Sequence, residues 1–139
     1  MFFLLRYFDG ACLPSNPGIS CYGFVIEIEN GKRISEYGIA TPNGTNNVGE
    51  YVALIKSMEK ALSIGITEVE IKGDSQLVIN QMLGIYKVKA QNLIPLCQKA
   101  KKLSKAFKKI EFKWIPREQN KEADKLAEKA YLEYITSSK

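Results

Sequence analysis

Thr45-Asn46-Asn47-Val48-Gly49-Glu50 is the stretch from which the rest of the chain is read. It follows a turn-rich loop, Thr41-Pro42-Asn43-Gly44, and leads into Val48, Tyr51, Val52, Ile55, Met58 and Leu62, whose spacing predicts an amphipathic helix ending at Gly65. Upstream the pattern is that of strands. Phe2 to Ala11 is apolar at nearly every position, as in a central strand buried on both faces. Ile19 to Glu29 and Arg33 to Ala40 flank Asn30-Gly31, a hairpin signal because both residues tolerate positive φ. Downstream, Glu68 to Lys72 reads as a short strand that Gly73-Asp74-Ser75 turns directly into a helix over Gln76 to Leu83. Leu93, Leu96, Cys97, Ala100 and Leu103 mark another helix, Ile110 to Ile115 a last strand stopped by Pro116, and Asn120 to Thr136 a last helix.

The resulting order, β-β-β-α-β-α-α-β-α, predicts an α/β fold: a mixed sheet flanked by helices, its later strands made parallel by the strand-helix-strand crossover. The length suits one domain over residues 1–139. In open sheets of this kind ligands bind beyond the carboxyl ends of the strands. Asp74 lies at such an end, and Asp9 lies beside it if the first strand is its neighbour.

Composition removes several chemistries. There is no histidine, which excludes Ser-His-Asp and Cys-His catalysis and His-ligated zinc. Cys12, Cys21 and Cys97 lack C-x-x-C spacing and read as free thiols. The N-terminal apolar run is broken by Arg6 and Asp9, too soon for a leader or a membrane span, so a cytoplasmic protein without membrane attachment is expected. Residues 84–130 hold 13 Lys/Arg against 5 Asp/Glu, whereas residues 1–83 hold 6 against 9. The basic half points to a polyanionic partner.

Four carboxylates carry the chemical reading. Taken singly, each has an ordinary explanation: a turn at Asp9-Gly10, a capping box linking Asn47 and Glu50, an N-cap at Asp74, and a helix-dipole role for Asp124. Taken together at one sheet edge they repel unless a cation compensates. Mg²⁺ or Mn²⁺ takes such oxygen ligands, and two ions about 4 Å apart suit in-line displacement at phosphorus. No glycine-rich phosphate loop of the Walker or dinucleotide type competes.

At these residues the sequence resembles the type 1 ribonuclease H family. The matching pieces are Tyr7-Phe8-Asp9-Gly10 with Cys12 and Asn16-Pro17-Gly18; Thr45-Asn46-Asn47 with Glu50; Gly73-Asp74-Ser75-Gln76; and Trp114-Ile115-Pro116 leading to Asn120, Ala123-Asp124 and Leu126-Ala127. The resemblance implies a ribonuclease H-like fold with a five-stranded sheet in the order 3-2-1-4-5, strand 2 antiparallel. It implies an endonuclease that cuts the RNA strand of RNA–DNA hybrids with two divalent ions, leaving 5′-phosphate and 3′-hydroxyl ends; separately, a monomer is expected. Asp9, Glu50, Asp74 and Asp124 carry over as catalytic, metal-binding carboxylates. Cys12, Asn16, Asn46, Asn47 and Gln76 carry over as contacts to the minor groove and 2′-hydroxyls, and Thr45 as a contact to DNA phosphate. Two departures stand out. The loop where many members have a histidine is here Arg117-Glu118-Gln119, making Arg117 and Glu118 auxiliary candidates, and the basic, Trp-containing protrusion of some members is reduced to Leu83 to Asn92 with Lys87 and Lys89. Double-stranded RNA is the alternative substrate, and a non-catalytic nucleic-acid-binding module the alternative function.

Overall fold

The computed structural model describes residues 3–137, so Phe2 of the expected first strand lies outside the described residues. Strand β1 runs Phe3–Leu13, β2 Gly18–Ile28 and β3 Arg33–Gly44. Helix α1 (Asn46–Ser63) leads to β4 (Glu68–Gly73), α2 (Gln76–Met82), α3 (Ile94–Ser104), β5 (Lys109–Trp114), a 3-10 turn (Arg117–Gln119) and α4 (Lys121–Ser137). The sheet order is β3-β2-β1-β4-β5, with β2 antiparallel to both neighbours and β4 parallel to β1 and β5. This is the order and strand direction expected. None of the described helices is long and apolar enough to cross a membrane.

Period-two alternation divides β2 between two faces. Tyr22, Phe24 and Ile26 join the main core with Tyr51, Leu54 and Met58 of α1, while Cys21 packs with Ala127 and Ala130 of α4. The small side chains on α4 let that helix lie close to the sheet. Cys12, Cys21 and Cys97 are free thiols.

One expected loop is strand. Thr41 to Gly44 continues β3, where Thr41 pairs with Ser20 and Gly44 with Gly18 across a register shift. Pro42 is tolerated because β3 is an edge strand, where a missing N–H need leave no ladder partner unsatisfied. Pairing with β2 therefore overrides the turn chemistry of Pro-Asn-Gly.

β1 buries a cation. Arg6 is fully buried; its Nη1 donates to Ser57 Oγ at 3.0 Å and its guanidinium lies 5.1 Å from the centre of the Phe107 ring. Nε and Nη2 have no hydrogen-bond partner, and no carboxylate lies within ion-pair distance of Arg6 among the described residues. Burial pushes its pKa down to about 9, which still leaves a charged guanidinium at neutral pH. Such a charge opposes folding. Arg6→Met, which keeps an unbranched apolar stem, should raise stability by about 1–2 kcal/mol in urea unfolding. A loss of stability would show that the Ser57 and Phe107 contacts outweigh the desolvation.

Candidate metal centre

β1 and β4 end their pairing at Phe8 and Gly73, so Asp9 and Asp74 each stand one residue past the last pair. Their side chains are thereby held next to each other by two parallel strands rather than by a loop. Glu50 arrives from above on α1. That helix sits directly on β1, because a Cβ on Gly10 would lie 2.1 Å from the Glu50 backbone nitrogen and one on Gly49 would lie 2.3 Å from the Cys21 carbonyl. Only glycine at both positions permits this approach.

The ordinary explanations for three of the carboxylates do not hold in the structure. The N-cap of α1 is Thr45, whose hydroxyl accepts from the Val48 amide at 3.4 Å, and Glu50 stands in the second turn, out of reach of a capping-box role. The N-cap of α2 is Ser75, accepting from the Val78 amide at 3.2 Å, which frees Asp74. Asp9 is not in a turn: it is a strand residue, 4% exposed. Asp124 does occupy the first turn of α4, and lies 4.0 Å from the Arg117 guanidinium.

Asp9, Glu50 and Asp74 each offer one oxygen within 4.8 Å of the others. Asp124 stands apart from that triad but lines the same cavity of about 470 Å³. Burial, reinforced by the charges of Asp74 and Asp124, pushes the Asp9 carboxyl up to about 8. Burial and then the Asp9 charge hold Glu50 well above the carboxylate range, and its Oε2 is buried without a partner. Asp74 is also raised by burial, with Asn120 and Arg117 opposing the shift. Three crowded, desolvated carboxylates with an orphaned oxygen are what a hard divalent cation would satisfy, so the residues present fit such an ion.

Cys12, Asn16, Asn46 and Arg117 line the same cavity. Asn16 Nδ2 donates to Asn46 Oδ1 at 2.9 Å and the Asn46 amide donates back to Asn16 Oδ1 at 3.3 Å, tying the β1–β2 loop to the start of α1. The Cys12 thiol donates to the Gly44 carbonyl at 3.3 Å. Thr45, Asn47 and Gln76 lie outside the cavity lining; the Thr45 carbonyl accepts from Ser20 Oγ at 2.8 Å, and Gln76 is exposed. Glu118 lies in a neighbouring hollow with Arg117, Lys121 and Asp124, not against the triad.

Residues 7–130 match the family described as reverse transcriptase-like. Ribonuclease HI of Halobacterium salinarum is 36% identical over 124 residues, covering 89% of this chain and 62% of the relative. The N-terminal ribonuclease H domain of a Mycobacterium tuberculosis protein, solved as a fusion with maltose-binding protein, superposes with a TM-score of 0.91 at 33% identity over the whole of both chains. The chain belongs to the type 1 ribonuclease H family. LC11 ribonuclease H1, solved in complex with an RNA/DNA hybrid, is a further member with a TM-score of 0.87 at 33% identity, covering 95% of this chain and 99% of that one. The ribonuclease H domain described here spans 32% of the length of the curated mycobacterial relatives it matches.

Trp114 and Asn120 fall in the motif pieces of the sequence, but the bonds they make beside these carboxylates escape a reading by pattern. Trp114 Nε1 donates to the Asp74 carbonyl at 3.0 Å, and Asn120 Nδ2 donates to the Phe8 carbonyl at 2.9 Å. Both bind main-chain atoms of other elements, 40 and 112 residues away. No local spacing signals such bonds.

The raised carboxyl pKa values make the metal-free protein lose stability as pH climbs from the ordinary carboxylate range toward 8, because the folded state retains protons that the unfolded chain has released. Asp9→Asn removes that loss. In EDTA the variant should melt above wild type at pH 8 and close to it at pH 4, whereas equal melting at both values would show that the Asp9 charge is not strained.

Proposed function

We propose that this chain is an endonuclease that hydrolyses the RNA strand of RNA–DNA hybrids with two divalent ions, Mg²⁺ or Mn²⁺, leaving 5′-phosphate and 3′-hydroxyl ends. The observation that carries the reading is the convergence of Asp9, Glu50 and Asp74 within 4.8 Å at the end of the central strands, with Asp124 on the same cavity. The hybrid-bound LC11 neighbour supports the substrate class.

Asp9, Glu50, Asp74 and Asp124 would hold the ions. When bound, these supply Lewis-acid stabilisation of the charge that develops on the attacking and leaving oxygens. The chain's own residues orient the duplex. Asn16 and Asn46 brace one another beside the carboxylates, and the Asn46 side-chain nitrogen takes no part in that pairing. An amide of this kind both donates and accepts, as reading a 2′-hydroxyl requires, and the 2′-hydroxyl separates RNA from DNA. Arg117, 80% exposed at its side chain and permanently charged, suits a phosphate contact. Lys87 and Lys89 are exposed on the segment between α2 and α3, beside Ile85 and Tyr86, and would meet further phosphates.

Labelled hybrid, double-stranded RNA and double-stranded DNA, each with Mg²⁺ and with chelator, test the substrate class on one gel. Hybrid should be cut in the RNA strand only when the ion is present; equal cutting of double-stranded RNA would widen the substrate class, and no cutting would overturn the proposal. Asp9→Asn, Glu50→Gln and Asp74→Asn should each lower turnover by about 100-fold or more with circular dichroism unchanged. A variant that keeps a tenth of wild-type turnover would remove that residue from the metal site.

Hybrid binding should weaken with salt, and replacing Lys87 and Lys89 by Ala should reduce the log–log slope by about one for each phosphate that a lysine no longer neutralises. An unchanged slope in a salt titration would leave those lysines as surface residues only.

A further inference from the structure

Asn120 is 1% exposed and stands immediately before α4. At that position an asparagine ordinarily uses its Oδ1 to accept from an amide of the helix it precedes. Here Oδ1 is buried without a partner, and the side chain is turned the other way. Its Nδ2 donates to the Phe8 carbonyl at 2.9 Å, one residue before Asp9, and the side chain faces the Asp74 carboxyl. The Asn120 carbonyl accepts from the Asp124 amide at 3.1 Å, the bond that opens α4.

A carboxamide nitrogen has two N–H groups: one bonds the Phe8 carbonyl of β1, and the second is left for the Asp74 carboxyl that the side chain faces. An oxygen left buried and unpaired is costly, so the orientation is set by what the donors hold. Capping would require the reverse arrangement.

We propose that Asn120 is a positioning residue of the metal centre: its amide clamps the end of β1 to the β4–α2 turn, sets the separation of Asp9 and Asp74, and through its main chain delivers Asp124 on α4. The role rests on reading the site as a divalent-metal centre. Asn120 touches neither ion nor substrate. It acts through the carboxylates.

The test uses Asn120→Ser, because serine caps helices as well as asparagine does but has a single donor that cannot reach both acceptors. Mn²⁺ affinity is read from the fluorescence of Trp114, the one tryptophan of the chain, whose indole N–H is bonded to the Asp74 carbonyl. Turnover and KM on hybrid are read at saturating ion. The dissociation constant for Mn²⁺ should rise about tenfold and kcat fall about tenfold, with KM for hybrid held within about twofold, as for partners that orient metal ligands. A dissociation constant and kcat within about twofold of wild type would overturn the role of Asn120 in the metal centre. Asn120→Asp, nearly isosteric, covers the case in which the serine variant does not fold. An added negative charge by itself would tighten Mn²⁺ binding, so looser binding supports the clamp and tighter binding overturns it. Wild-type protein that binds no Mn²⁺ would overturn the metal centre and this role together, whereas wild-type binding shared unchanged by both variants would overturn the role of Asn120 alone.

Discussion

Two bare backbones in contact govern this molecule. α1 can bring Glu50 beside Asp9 only because Gly10 on β1 and Gly49 on α1 leave no Cβ between them, and either Cβ would come within 2.3 Å of a backbone atom across the contact. Side chains of any size would lift the helix off the strand, and the carboxylates would no longer share one space. The anchors around the contact keep it closed: Thr45 caps the helix, Ser20 bonds the Thr45 carbonyl, and the Asn16–Asn46 pair fastens the β1–β2 loop to the start of α1. Geometry around the carboxylates is thus set by backbone proximity rather than by side-chain contacts.

That geometry costs stability. Three carboxylates are held where burial and mutual repulsion disfavour their charged forms, and Glu50 Oε2 has nothing to bond. A fold selected for stability alone would separate or neutralise them. Retaining the strain makes sense where a cation is to be bound, since the same oxygens that repel one another become its ligands. Around them, Asn120 and Trp114 hold the strand ends from the far side through main-chain carbonyls, a rigid way to keep mutually repelling groups in place. Arg6 is a contrast on the same strand. It is a buried charge with one hydrogen bond and one aromatic face, and it lies outside the cavity that the carboxylates line.

Much of this was present in the linear order of residues. Hydrophobic patterning, with turn residues such as Asn30-Gly31 and Gly73-Asp74-Ser75, placed the five strands and four α-helices, because alternation and 3.6-residue spacing are local consequences of burying one face. The motifs around Asp9, Glu50, Asp74 and Asp124 identified the family and its sheet order, since each carboxylate sits in a short stretch of characteristic neighbours. Element ends were less legible. Thr41 to Gly44 carries turn residues yet is strand, because hydrogen bonds to Gly18 and Ser20 were available only after β2 was in place.

What tertiary structure alone decided is which of several locally equivalent uses each polar group has. Asn47 and Glu50 have capping-box spacing, Asp74 precedes a helix, and Asn120 precedes another; spacing allowed capping in all three cases. In the folded protein Thr45 and Ser75 take the caps of α1 and α2, Glu50 and Asp74 turn to Asp9, and Asn120 turns its amide to Phe8. The burial of Arg6 with no counter-ion among the described residues was equally hidden, because a charged residue in an apolar run reads as an interruption of the strand. Local sequence determines which conformations a segment favours through interactions within a few residues. Which hydrogen bonds a side chain makes depends on acceptors 112 residues distant, as for Asn120 and Phe8, and those exist only once the sheet has assembled.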